Sequence, residues 1–574
     1  MKELSGSLSI KNLENVNRKD EALESKLYQK SHLRSLGLVW SCNDGMNSEG
    51  SLQLEVLEGL VPPPQLMGLK IEGFKSATYP SWLLEGLHFE NLESFMLVNC
   101  SALESLPINT ELFGHCSELL LENVPSLKTL SYLPAALTYL SISSCPLLMF
   151  IMNAELEQHD QMENIMRTEY LASQLASMWE VDSEEEIRQV ILSDHSSLKQ
   201  LMTLMDTDMS HLQTIANAER DTTMLKEDII KAWICCHQKR IRFIYGRHIG
   251  MPLVPPSGLG RLALSSCSIT DGALAACLDG LTSLRELSLA KIMTLTTLPS
   301  QEVFQHLDKL KILSIRDCWC FRSLGGVRVA TSLLDVRLIS CLSLDLEGGT
   351  DLMPSSLERL IISRSMVAAN LFSGDLTHLK FLSMFCCRSS PSLSIGHLTS
   401  LELLYLGGIP DLCFLDGLSS LQLQHVQLTD VPKLTAECIT QFRVQKSLCV
   451  SSLAMVNQML LAEGFTVPPF LSLEECKEPF VSFKDSANFT YVKCLTLCRC
   501  EMRSLPGNLK CFSSLTKLNI FECPNISSLP DLPSSLQHIC FWVCERLIES
   551  CRAPDGESWP KIAHIRWKDF KSEL

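Results

Sequence analysis

Twenty-five cysteines in a chain of 574 residues raise three chemistries at once: disulfide cross-links, a zinc centre, or a reactive thiolate. Disulfides need an oxidising compartment, and the opening Met-Lys-Glu-Leu-Ser-Gly-Ser has no apolar core of a secretory signal. Zinc needs tight pairs at ligand spacing. Cys498-Arg-Cys500, Cys318-Trp-Cys320, Cys235-Cys236 and Cys386-Cys387 are too close together or lack a second pair. Ten cysteines instead share one place in a repeating frame, nine residues in: Cys100, Cys145, Cys267, Cys318, Cys341, Cys387, Cys476, Cys500, Cys523 and Cys544. Such a position predicts buried, reduced, metal-free thiols that behave as small hydrophobes with a weak donor. No GxxxxGK(S/T) loop, GxGxxG turn, GxSxG elbow or HExxH pair occurs, and no kinase set of motifs. The expectation is a protein that is not an enzyme and holds no cofactor.

The frame is the consensus Leu-x-x-Leu-x-Leu-x-x-Cys, seen in Leu515-Thr-Lys-Leu518-Asn-Ile520-Phe-Glu-Cys523 and again from Leu137 to Cys145 and from Leu259 to Cys267. Units begin at 5, 33, 66, 92, 116 and 137, then at 259, 284, 310, 333, 357, 379, 401, 423, 445, 468, 492, 515, 536 and 562, mostly 21 to 28 residues apart. The units at 445 and 468 are degraded at their first position, Gln445 and Pro468, but stay in step through Leu448, Val450, Leu471 and Leu473. This period marks a leucine-rich-repeat solenoid. Each unit is a short strand with alternating side chains, and no single unit can bury its own apolar face; stacked units share one continuous core. The expected fold is an α/β solenoid, a leucine-rich-repeat horseshoe of about twenty irregular repeats with an inserted all-helical module.

The insertion shows as a gap of 122 residues between the units at 137 and 259. No Gly occurs from His115 to Tyr245, and apolar residues recur at helical spacing in Ile165, Leu171, Leu175 and Met178 and again in Ile187, Val190 and Ile191. Ser183-Glu-Glu-Glu186 reads as a capping box. Glu155 to Cys236 holds 17 Asp and Glu against 6 Lys and Arg, most of the −16 of the whole chain. That surface is either a solvated helical face or an acidic docking surface. Four basic residues after it, Lys239, Arg240, Arg242 and Arg247, are too few for a nucleic-acid footprint. The predicted organisation is therefore N-terminal repeats over 1–154, an acidic helical insertion over 155–250 and C-terminal repeats over 251–574. Thr129 to Ala154 is uncharged but contains Pro134 and Pro146 and fits the repeat, so no membrane span is expected.

The opening stretch, from Leu4-Ser-Gly6-Ser-Leu8 through Leu13-Glu14-Asn15-Val16 to Leu33-Arg-Ser-Leu36-Gly-Leu38-Val-Trp40, closely resembles the first repeats of plant nucleotide-binding leucine-rich-repeat disease resistance proteins of the coiled-coil class. Leu92 to Pro107 and Leu515 to Pro530 look like the same family's repeats. The resemblance implies a cytoplasmic sensor that binds a pathogen effector or a host protein and helps hold a nucleotide-binding domain at rest. That domain has no counterpart in this sequence, so the chain is either a fragment of a longer product or a gene reduced to its sensor half. A general interaction scaffold and a ubiquitin-ligase substrate adaptor are the other readings of such repeats.

In each unit the third, fifth and seventh residues are expected to project onto the concave face, where a partner would sit. Most are small or polar. The exceptions are Phe381, Phe385, Leu403 and Tyr405; then Lys517, Phe521, His538, Trp542, His564 and Arg566; and between the two groups, Arg316, Arg337 and Arg359 as a basic ladder. Aromatic and Arg side chains on a rigid scaffold are the usual interface anchors. The alternative for the terminal aromatics is a cap over the open end of the solenoid.

Overall fold

The computed structural model describes residues 5–41, 50–84, 89, 91–107, 114–130, 133–151 and 251–572, apart from 345, 347–351, 370, 373, 464 and 479–488. The expected helical insertion at 155–250 lies outside the described residues. Two compact units are formed, one mostly of residues before Arg285 and the other mostly of residues from Ser300 onward.

The frame becomes strands because apolar residues two apart, flanked by polar ones, can bury one face of an extended segment and leave the other wet. Seven ladder strands belong to the first unit: β1 (Gly6–Ile10), β2 (Leu33–Val39), β3 (Gly68–Glu72), β4 (Ser94–Val98), β5 (Glu118–Glu122), β6 (Tyr139–Ser143) and β7 (Arg261–Ser265). Strand β8 (Glu286–Ala290) follows. The second unit carries β9 (Ile312–Arg316), β10 (Asp335–Ile339), β11 (Arg359–Ser363), β12 (Phe381–Phe385), β13 (Leu403–Gly407), β14 (Leu423–Thr429), β15 (Val444–Val450), β16 (Phe470–Glu474), β17 (Cys494–Cys498), β18 (Lys517–Phe521), β19 (His538–Trp542) and β20 (Trp567–Lys571). The strands pair in parallel and join equivalent positions of successive units, for example Leu360 with Leu382 and Ile362 with Met384. The fourth and sixth residues are the core: Leu140, Ile142, Leu360 and Ile362 are all 0% exposed.

Strands β6 and β7 are adjacent although 122 residues separate their units; Leu140 pairs with Leu262 and Ile142 with Leu264. Below them Met149–Phe150 pairs with Ser268–Ile269, and Ile151 and Met251 are joined through the backbone, Ile151 N–H donating to Met251 O and Met251 N–H to Met149 O, both at 3.1 Å. The ends of the segment 152–250 are therefore neighbours, and the ladder proceeds from one to the other in register.

The ninth-position cysteines are all buried and unpaired by disulfides. Several of their thiols bond backbone carbonyls of their own and the preceding repeat: Cys100 Sγ donates to Val98 O at 3.4 Å and Ile71 O at 3.6 Å, and Cys387 Sγ to Phe385 O at 3.3 Å and Ile362 O at 3.5 Å. Burial pushes the Cys145 and Cys387 thiols up to about 11. Among the described residues no group of three or more His, Cys, Asp or Glu is placed to hold a metal ion.

One residue earlier the chain turns through the left-handed region in unit after unit, with φ of 55° at Asn99, 53° at Ser144, 50° at Arg364 and 54° at Val543. For a β-branched Val this is costly. The turn aims the amide at the next unit, Arg364 N–H to Phe385 O at 2.9 Å and Val543 N–H to Lys571 O at 2.8 Å, which extends the ladder by one bond.

Three units depart from the expected register, the first by an irregularity that pairs Gly6 rather than Ser5 with Leu33. At the unit counted from Gln445, a bulge pairs Leu423 with Val444 before His425 meets Ser447, so Val444 fills the first position and the unit is not degraded there. In the last unit Ile562 ends the short helix Trp559–Ile562, and His538 pairs with Trp567. Ile562 and Ile565, both buried, are three apart and imitate the Leu-x-x-Leu spacing, although Ile562 is helical. The unit really starts at Ile565, and Trp567, Asp569 and Lys571 hold its third, fifth and seventh places.

Candidate functional site

The third, fifth and seventh side chains of the ladder strands form the surface that the core does not use, and its chemistry differs along the chain. In the first unit small residues recur there, Ser7 and Ser9 on β1, Ser35 and Gly37 on β2, Gly68 on β3, Ser141 and Ser143 on β6, beside larger ones such as Met96 and Val98 on β4 and Glu118, Leu120 and Glu122 on β5. A Cβ on Gly37 or Gly68 would stand 3.2 Å from the hydroxyl of Ser9 or Ser35, so this stretch is tightly drawn together. Larger groups there include paired ones, as with Lys70 and Glu72 at 2.7 Å or Arg261 at 4.9 Å over the Tyr139 ring.

In the second unit the register sets Arg359, Phe381 and Leu403 side by side in the third-position column, with Tyr405 and Phe385 beside them in the fifth and seventh. The Arg359 guanidinium lies 4.4 Å from the Phe381 ring centre, and Phe381 meets Tyr405 edge to face at 5.2 Å. The Phe385 ring lies across Gly407: a Cβ there would be 2.5 Å from its Cε1 and 2.7 Å from Thr429 Oγ1. Only glycine leaves room for that ring. Phe381, Phe385, Leu403 and Tyr405 are consequently half-buried rather than fully exposed, since they cover one another. Fixing the rings in advance lowers the entropy lost on binding.

The three arginines do not form a basic ladder. Arg316 occupies a seventh position, Arg337 a fifth and Arg359 a third, and Asp335 sits among them. Both oxygens of Asp335 engage Arg337, at 3.1 Å to Nε and 2.8 Å to Nη2, and the same carboxylate is 3.8 Å from Arg359 Nε. The hydrogen bond to Asp335 raises the Arg337 pKa further above its usual range. A shared carboxylate removes much of the positive field that an unpaired row would project.

A second aromatic group closes the ladder. Phe521 and Trp542 meet at 5.0 Å, Trp542 Nε1 donates to Asp569 Oδ2 at 3.2 Å, and the Lys571 ammonium stands 4.4 Å from the Trp542 ring centre. In the third-position column His538 stacks on Trp567 at 6.1 Å with ring planes 7° apart. Arg566 falls ahead of β20 and not on the fifth position, yet its guanidinium reaches the face from the side, 5.3 Å from the Trp567 ring centre. His564 likewise precedes the strand. The register slip hid Trp567, Asp569 and Lys571 from sequence reasoning; the Trp-Lys-Asp-Phe-Lys alternation of charge and ring was the signal that could have found them. Phe470 on β16, 54% exposed, was also missed. It occupies a third position of a regular unit.

Burial first, and the Glu474 carboxylate next, push the Cys449 thiol well up, and burial followed by Asp569 raises that of Cys540, which leaves both protonated rather than nucleophilic at neutral pH. What the arrangement can do is stack on, and hydrogen-bond to, another surface.

Residues 1–145 match the family model of the R13L1/DRL21 leucine-rich repeats. The putative disease resistance protein RGA4 of Solanum bulbocastanum is 38% identical over 104 residues, 18% of this chain and 10% of that protein. In these stretches the chain is similar to the leucine-rich repeats of plant disease resistance proteins. Disease resistance protein RGA2 of the same species is 35% identical over 104 residues, and a putative RPP13-like resistance protein of Arabidopsis thaliana 30% over 111, each match covering 18% of this chain and 10% of the relative. The chain thus spans about 10% of the length of the curated relatives it matches. Solved structures with a similar trace include the TLR13–ssRNA13 complex, at 15% identity and TM-score 0.47 over 100% of this chain and 65% of that one, and a Leptospira interrogans leucine-rich-repeat protein, at 14% and 0.37 over 91% and 85%. Repeat regions of this kind are in general non-enzymatic scaffolds that hold protein partners. No helix among the described residues is long and apolar enough to cross a membrane.

Proposed function

We propose that this repeat region is the recognition half of a plant intracellular immune receptor, acting in the cytoplasm, where it binds a pathogen effector or a host protein through the solvent face of β11 to β20. The observation that carries the reading is the ordered chain Arg359, Phe381, Tyr405 together with Phe385 laid over Gly407. A hydrophobic and aromatic surface held rigid by backbone register has the composition of an interface centre. Autoinhibition of a nucleotide-binding domain belongs to the same reading: a partner that takes this face competes with whatever else the repeat region holds. The segment 155–250 would be a separate module carried by the ladder, a role supported by the hydrogen bonds that bring Ile151 and Met251 together at its ends.

The test uses the whole chain as bait in plant extract, compared with the chain carrying Phe385→Ala, Tyr405→Ala and Trp542→Ala. Proteins recovered with the first and lost with the second are held by this face. Equal recovery of every protein by both baits contradicts the reading.

A further inference from the structure

The terminal aromatic group surrounds a polar atom that no other described residue satisfies. Asn519 is the fifth residue of its unit, on β18, and lies between Thr496 and Cys540 in the register. It is 8% exposed, its Nδ2 donates to Thr496 Oγ1 at 3.1 Å and Cys494 Sγ at 3.6 Å, and its Oδ1 has no hydrogen-bond partner. A carbonyl oxygen buried in this way costs free energy unless a donor reaches it. On its own strand Asn519 is flanked by Lys517 and Phe521, and Trp542, with Lys571 over its ring, lies beside Phe521 on the next strand. Lys517 and Lys571 are exposed, while Asp569, the anion among them, is engaged by Trp542 and Cys540. The group is thus positive on a chain of formal charge −16.

We propose that this end of the face takes an extended acidic segment of another protein. The Asn519 side chain turns outward from its buried position so that one of the segment's backbone N–H groups caps Oδ1, an aromatic or aliphatic side chain lies against Phe521 and Trp542, and its carboxylates meet Lys517 and Lys571. Three requirements converge on that occupant. The orphaned oxygen needs a donor, which a peptide backbone supplies at every second residue on one side of an extended strand. The rings need an apolar group, and the two ammonium groups need negative charge close to it. A DNA strand would bring stacking and charge, but its backbone carries acceptors alone, leaving only a base edge to donate to Asn519 Oδ1. The inference rests on the proposed function, since it assigns the chemistry of a partner to part of the same face.

The test is fluorescence polarisation with the intact chain and three probes: a capped octapeptide of alternating Glu and Phe, its Lys and Phe counterpart, and a short oligothymidylate. The expected result is saturable binding of the Glu–Phe peptide at least about tenfold tighter than that of the Lys–Phe peptide, with the oligonucleotide weaker still. Asn519→Leu and Lys517→Glu should each weaken the acidic peptide by about tenfold or more without moving the melting temperature. Lys517 is exposed, so its variant reads the charge requirement even if Asn519→Leu fails to fold. No binding of the Glu–Phe peptide, equal binding of both peptides, tighter binding of the oligonucleotide, or indifference to both substitutions overturns the proposal. Any of these, beside a native partner that is still lost from the Phe385, Tyr405 and Trp542 bait, overturns this inference alone and leaves the proposed function standing.

Discussion

The two ladders share one backbone and present two different surfaces. Strands β2 to β7 and strands β9 to β19 bury their fourth and sixth residues alike, with Leu140 and Leu360 both 0% exposed. Both ladders turn through the left-handed region after the seventh residue, at Asn99 and Ser144 as at Arg364 and Val543. The residues between the buried ones differ in kind: Ser and Gly recur on the early strands, Phe, Tyr, Trp and Arg on the late ones. The lesson is that the consensus specifies a scaffold, and that the chemistry of the exposed face is written in the positions the consensus leaves open.

If the scaffold is the same, damage to it should not depend on the ladder. Leu140→Ala and Leu360→Ala should each lower stability by about 2–5 kcal/mol in chemical denaturation, the range for a buried leucine whose cavity only partly collapses. A large loss in one ladder and none in the other would break the comparison. The face should behave in the opposite way. Ser141→Ala on β6 should leave partner binding unchanged, whereas Gly407→Ala should displace the Phe385 ring and weaken it by about 1–2 kcal/mol, with the melting temperature little changed because the ring can swing toward solvent. Equal and negligible effects in a binding titration would mean that the Phe385 geometry plays no part in recognition.

The thiol column sharpens the comparison from within the core. Cys500 N–H donates to Cys523 Sγ at 3.3 Å, so Cys523→Ala leaves that amide without an acceptor and should cost about 1 kcal/mol. The buried thiols also set an alkaline limit. Cys145 and Cys387 sit near 11 against an ordinary 9.0, so the folded state holds their protons longer than the unfolded chain does. Their contribution is complete below pH 9 and is lost as pH rises toward 11. Melting temperature should therefore fall over that interval, in both ladders, and less steeply in the Cys145→Ala and Cys387→Ala variants; identical slopes would contradict the burial of these thiols. The smallest effect belongs to Asp335→Asn. Its ion pair with a half-exposed Arg337 is worth about 0.5 kcal/mol, to be read from the shift in denaturation midpoint.

The scaffold was legible because Leu-x-x-Leu-x-Leu repeats at a spacing that admits one structure. Up to the last unit the starts fall in step with the strands, counting Gly6 in place of Ser5 and Val444 in place of Gln445 across their bulges. The last unit misled, since Ile562 and Ile565 satisfy a helix turn and the first strand spacing equally well. The Arg316, Arg337, Arg359 ladder misled for another reason. The counted starts already put Arg316 seventh, Arg337 fifth and Arg359 third, in three different columns; what counting does not give is the carboxylate of Asp335, which bonds Arg337 on its own strand and reaches Arg359 on the next. Mutual coverage of rings is invisible for the same cause: Phe385 is half-buried because Gly407, a unit later, leaves it room. The buried, unpaired oxygen of Asn519 has no sequence signature at all.

The account stands on the claim that the late face recognises a partner without contributing to the fold. The direct measurement is calorimetric titration of the partner recovered from extract against the whole chain and against its Phe385→Ala, Tyr405→Ala, Trp542→Ala variant, with thermal melts of both. The account predicts that binding weakens by more than about 2 kcal/mol in total while the melting temperature hardly moves. Binding that survives all three substitutions, or a fold that collapses with them, would contradict it.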